Sequence, residues 1–342
     1  MFRFASCLAA AVMLLMGAAQ AEVNIVTVPV GDLRNADDTY GGGYGGVDYA
    51  YRIGKYEVTA GQYAEFLNAV AGRVDTYGLY NDGMAIPYWG SDITKNGDGT
   101  ISDPYTYSVP PAAVNRPVNF VSWGDSARFA NWMHNGQPEG AQDSSTTEDG
   151  SYSLGGATDT AALWAVTRNP NATWVIPTED EWYKAAYYDP QKPGGVGYWY
   201  YPTRSDTQPG RDLADVSGNN ANYGGDPRPI DPPYSQTIVG QFLNSESPYG
   251  TFDQGGNEWE WTEALSGSTQ RGRRGGSYNW EYKTLRASAR MGADPAGNSQ
   301  SIGFRVASIP EPSTAVLLGM GAVALLAYGW RRRRRLFCKG AA

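Results

Sequence analysis

Few residues in this chain could carry covalent or redox chemistry. Its 342 residues include two cysteines, Cys7 and Cys338, and one histidine, His134. Cys7 lies in an apolar N-terminal run and Cys338 beyond a C-terminal run of arginines, so the body between them has no thiol. Disulfides, thiol nucleophiles and thiolate metal sites are therefore excluded there. A single imidazole cannot build a histidine-rich zinc, copper or non-haem iron centre, nor serve both a Ser-His-Asp triad and a metal. His134 falls near the end of a predicted helix, where its charged form suits the helix dipole, a structural role.

What remains is carboxylates, amides, carbonyls and aromatic rings. The net charge is −8, and the body is more acidic still once the basic termini are set aside. Such a surface repels nucleic acid and anionic lipid and suits hard cations such as calcium. Thr94 to Tyr105 approaches a calcium-binding helix-loop-helix sequence, but Thr94 and Tyr105 stand where acidic ligands belong and Pro87 and Pro104 deny flanking helices. A glycine-rich hairpin loop is the reading there. The rings of Tyr198-Trp199-Tyr200-Tyr201 could stack on carbohydrate or simply pack as a strand.

These groups must be positioned by short elements. With 41% hydrophobic residues, 43 glycines, 24 tyrosines and 11 tryptophans, the composition favours a loop-heavy globular fold with large aromatic anchors. Val23 to Val30 and Tyr49 to Tyr56 read as strands. Thr59 to Gln62, Ser122 to Asp125 and Thr178 to Glu181 read as capping boxes, each opening a helix. Beyond Asp206 loop residues dominate, with strand-like runs only at Thr237 to Val239 and Leu285 to Ala289. The body is α+β, loop-rich, with few short helices and strands, and reads as one domain.

Both termini read as addresses. Residues 1–21 have Arg3, an apolar run and Ala19-Gln20-Ala21, the pattern of a secretory signal peptide. Residues 309–335 contain Pro310-Glu311-Pro312, the apolar run Ala315 to Trp330 and the arginines Arg331 to Arg335, leaving residues 336–342 as a cytoplasmic tail. This order resembles the PEP-CTERM sorting signal, which implies cleavage by an exosortase and delivery to the envelope, surface or extracellular matrix of a Gram-negative-type bacterium. A plain C-terminal anchor is the alternative. Either way the membrane is touched only through that segment.

Residues 22–308 carry a series of short motifs in order. They are Ile53-Gly54-Lys55-Tyr56-Glu57-Val58-Thr59, Pro117-Val118-Asn119 with Val121-Ser122-Trp123, and Ile176-Pro177-Thr178-Glu179-Asp180-Glu181-Trp182. Gly256-Asn257-Glu258-Trp259-Glu260-Trp261, Arg274-Gly275-Gly276-Ser277-Tyr278 and Ile302-Gly303-Phe304-Arg305 follow. The series resembles the formylglycine-generating enzyme, or sulfatase-modifying factor, family, and that resemblance implies a variant of the C-type-lectin-like fold.

The resemblance also implies two structural calcium sites. One would use Asn222, the carbonyl of Tyr223, Asp231 and the carbonyl of Pro233. The other would use Asp253, the carbonyls of Gly256 and Glu258, and the side chain of Glu260. Active members use two cysteines after the Gly-Gly-Ser segment to bind copper and oxidise a client cysteine. Here Trp280 and Leu285 occupy those places, so no copper is expected. Trp259 and Ser277 persist where the pocket would be, without a thiolate or base to activate oxygen. The expected function is a non-catalytic binding or structural protein with a polysaccharide or protein ligand, Trp199 being one candidate contact. A cysteine-independent oxidase and a calcium-dependent glycan binder are the alternatives.

Overall fold

The computed structural model describes residues 22–40 and 42–309. The signal-peptide reading and nearly all of the sorting-signal reading lie outside them. In chain order the strands and helices are β1 (Thr27–Val30), β2 (Tyr51–Gly54), α1 (Ala60–Val70), β3 (Thr94–Asn96) and β4 (Thr106–Ser108). Then come α2 (Trp123–His134), α3 (Thr160–Ala165), β5 (Trp174–Val175), α4 (Glu179–Tyr187), β6 (Tyr188–Asp189) and β7 (Gly197–Tyr198). The chain closes with β8 (Trp259–Ser266), β9 (Gln270–Arg274), β10 (Met291–Ala293), β11 (Ile302–Gly303) and β12 (Ala307–Ser308).

Three helices start as the sequence predicts. Thr59, Ser122 and Thr178 each accept a backbone N–H through the side-chain oxygen, while Gln62, Asp125 and Glu181 reach back to the cap. The boxes satisfy N–H groups that a helix start otherwise leaves open. The shorter α3, capped by Asp159, was not legible because its six residues span fewer than two turns.

Two four-stranded sheets carry the frame, in the orders β1-β2-β12-β5 and β10-β9-β8-β11. The C-terminal strand β12 is therefore wedged between β2 and β5, closing the domain on its own beginning. The aromatic residues form the core: Tyr63 and Phe66 from α1, Phe129 and Trp132 from α2, and Phe304 meet with ring centroids 5.2 to 6.4 Å apart. Among the described residues no helix is long and apolar enough to cross a membrane.

Several predicted strands are shorter or absent. β1 begins only at Thr27, and β2 spans only Tyr51–Gly54. Thr237 to Val239 joins no sheet, because the Thr237 N–H is taken by the Asn257 side chain and the Val239 N–H by the Asn115 carbonyl. Leu285 ends a 3₁₀ turn and plugs a small aromatic cluster. The hairpin read at Thr94 to Tyr105 is present, with β3 pairing β4 across Gly97 and Gly99 in left-handed backbone.

With no disulfide available, buried ion pairs tie the loops. Arg305 and Glu260 have fully buried side chains, at 2.5 and 2.6 Å, and Arg305 also donates to the carbonyls of Gly54 and Phe252. Glu148 holds Arg128, and Glu179 holds both Arg274 and Arg290. Replacing Arg305 by Met should lower stability to denaturant by about 3–5 kcal/mol, because Glu260 would be left charged and unpaired. Adding Glu260→Gln should recover part of that loss; equal stability of R305M and wild type would contradict this account.

Candidate functional site

The β8–β9 hairpin and the turn after it position the residues where the resemblance places its chemistry. Along β8, Trp259 and Trp261 share one face and Glu260 the other, as strand alternation requires. After β9, Gly275 and Gly276 take φ of 96° and 76°. A side chain at Gly276 would meet the Thr284 hydroxyl at 2.3 Å, so only glycine lets the chain turn here and deliver Ser277 to Trp280.

The turn brings Trp259, Ser277 and Trp280 together. Trp280 stands edge-on over Trp259, centroids 5.7 Å apart at 83°, and remains 37% exposed while Trp259 is buried. The Arg273 guanidinium lies 5.0 Å from the centre of the Trp259 ring. The Ser277 hydroxyl is buried and donates to the Asn279 side-chain oxygen at 2.8 Å. An amide oxygen cannot take its proton, so Ser277 has no general base. Leu285 is buried against Gly276 on the other side of the turn, packed with Tyr201, Ala221 and Tyr223.

Glu258 was read only as a backbone carbonyl, yet its side chain is buried at the heart of a polar knot. One carboxyl oxygen accepts from Asn119 and Gln236 at 3.2 and 2.9 Å, and the other has no partner among the described residues. Burial pushes its pKa well above the usual carboxylate range, against the lowering effect of the two amide donors. Both amides also donate to the Trp89 carbonyl. No periodicity marks such a group; only the packing of distant loops around it does.

The residues of the two calcium readings adjoin. The Asn222 carbonyl accepts the Asn257 N–H at 2.8 Å, and Gly256 leaves no room there for a side chain. In the first set two guanidinium groups already supply positive charge: Arg211 donates to the Tyr223 carbonyl, and Arg116 pairs with Asp231 at 2.8 Å. The second set is different. Glu57 and Glu260 are buried and Asp253 half-buried near Arg305; Asp253 is pushed up to about 6 chiefly by burial of its carboxyl, and Glu57 is raised by burial and by its acidic neighbours. That surplus of buried carboxylate fits a cation. Among the described residues no three acidic, histidine or cysteine side chains converge to hold a metal alone, so carbonyls would have to complete the shell. Trp199 sits elsewhere, half-buried, its N–H bonded to Asp189 and its ring under Lys192 at 4.5 Å.

The sequence matches the sulfatase-modifying factor enzyme 1-like domain over residues 17–309. The chain belongs to that family. A PEP-CTERM protein-sorting motif matches residues 308–334. No curated protein matches the sequence. Among solved structures, the Treponema denticola variable protein 1 is similar at 17% identity and a TM-score of 0.51, covering 85% of this chain and 98% of that one. CarF is similar at 21% identity and a TM-score of 0.50, covering 84% and 99%. At these identities they show the fold alone, the sulfatase-modifying-factor variant of the C-type-lectin-like fold. The two places to which the resemblance assigns copper-binding cysteines hold Trp280 and the buried Leu285.

The raised pKa of Glu258 gives the fold a pH dependence. A carboxyl whose folded pKa is raised contributes stability below its unfolded pKa and loses it as pH rises through the folded value. Glu258→Gln keeps the accepting oxygen and cannot ionise. It should match wild type at pH 4 and exceed it in stability at pH 8; denaturant titrations at both pH values would show it, and equal gaps would refute it.

Proposed function

We propose that this protein is an exported, surface- or matrix-associated binding or structural module that has kept the sulfatase-modifying-factor fold and lost its oxidase chemistry. The observation that carries the reading is Trp280 against Trp259: where a thiolate would have to stand, an indole packs edge-on against a buried one. Ser277 without a base and Glu258 locked between two amides offer no substitute for a soft-metal oxidant site.

The sorting motif supports export, with an exosortase-type protease as processing partner and a polysaccharide or protein as ligand. A calcium ion at the second loop set, held by Asp253, Glu260 and the carbonyls of Gly256 and Glu258, would be structural: it would supply charge compensation for the buried acids around Arg305. Its place beside the Gly275-Gly276 turn would stiffen the hairpin that presents Trp280.

The full chain incubated with a cysteine peptide, copper and oxygen should yield no aldehyde above a protein-free control by mass spectrometry. Aldehyde formation would overturn the non-catalytic reading. Calcium added to chelated protein should raise the thermal midpoint, and Asp253→Asn should reduce that gain; no response to calcium would remove the ion from the account while leaving the binding reading intact.

A further inference from the structure

The segment Ile86-Pro87-Tyr88-Trp89 turns its side chains outward although every one of them is apolar or aromatic. Ile86, Tyr88 and Trp89 are 40%, 51% and 54% exposed. The segment leaves a 3₁₀ turn, Asp82–Ala85, capped by Asn81, and closes when the Gly90 N–H reaches the Ile86 carbonyl at 2.9 Å. Tyr88 adopts φ of 75°, a left-handed backbone that a bulky residue takes up only when its surroundings impose it.

The backbone explains how that conformation is held. The Tyr88 carbonyl accepts from the Ser235 N–H, and the Trp89 carbonyl from Asn119 and Gln236, the two amides that grip Glu258. The main chain is thus bolted to the interior while both rings face solvent. Beside them, Tyr234 lies 6.4 Å from Tyr88, donates its hydroxyl to Asp92 at 3.1 Å, and carries the Arg116 guanidinium 4.2 Å over its ring. Two rings on a fixed backbone, each with only two rotatable side-chain bonds, lose little entropy on binding.

We propose that Tyr88 and Trp89 form a stacking surface for a neutral, hydroxyl-rich polysaccharide. A sugar ring offers a flat C–H face to an aromatic ring and hydroxyl donors at its edge. The carboxylates of Asp82 and Asp92, on either side of the segment in the chain, are acceptors for such donors. The same acids, on a chain of net charge −8, repel uronate or sulfate chains and anionic lipid. Three side chains of this size fall well short of the roughly 800 Å² that each partner of a stable protein pair contributes. This inference rests on the reading of the domain as a binding module, and it moves the glycan contact away from Trp199.

The full chain would be tested for retention on insoluble cellulose, amylose and agarose, and on polygalacturonate beads, each with and without a chelator. Retention is expected on at least one neutral matrix, insensitive to chelation because no metal ligand lies in the surface. Tyr88→Gly, which suits the left-handed backbone and so preserves folding, and Trp89→Ala should each weaken it about tenfold or more, while Tyr40→Ala, at another exposed tyrosine, should leave it unchanged. No retention on any neutral matrix, binding to polygalacturonate alone, or full retention by the Tyr88→Gly/Trp89→Ala double variant would each overturn the proposal. None of these results touches the aldehyde assay, so the stacking surface and the non-catalytic reading fail separately.

Discussion

Arg305 donates at once to Glu260, to the carbonyl that ends β2, and to the carbonyl of Phe252, while Trp182 from α4 donates to the same carboxylate. The β2 end, the stretch from Phe252 to Glu260 and the C-terminal strand region therefore meet on one ion pair, with α4 joined to its carboxylate. In a chain whose body has no disulfide, that geometry sets where the last strand enters the first sheet and where β8 starts. A planar five-donor group suits the task because it satisfies a carboxylate and two carbonyls in one plane, which an ammonium would not.

Placing β8 in this way fixes what its two faces can do. Trp259 and Trp261 go to one side, and Trp261 and Trp123 donate to the Val121 and Thr262 carbonyls across the contact with α2. Glu260 goes to the other, next to Glu57 and Asp253, which concentrates acid inside the protein. The resulting raised pKa values follow from desolvation first and mutual repulsion second. The pocket region and the acid cluster are thus two consequences of one strand's alternation.

The loops built outward from this frame differ in how they are held. Trp199 is clamped by Asp189 and Lys192 and leaves little of its ring free. Tyr88 and Trp89 are clamped only through their backbone carbonyls, so their rings stay outside. Sequence inspection favoured the first cluster because four aromatic residues in a row stand out. The second contains only two, and its exposure depends on hydrogen bonds from residues 119, 235 and 236 that no local pattern announces.

The sequence by itself determined the class of this protein. The capping boxes, the ordered short motifs, the missing thiols and the sorting motif are local properties, each written in a few adjacent residues, and together they gave the helix starts, the family and a body without thiolates. It did not determine the β8–β9 hairpin, α3, the buried carboxyl of Glu258 or the outward rings of Tyr88 and Trp89. Those depend on which distant groups meet, and burial, ion pairing and left-handed backbone are settled by long-range packing, not by the residues next in line.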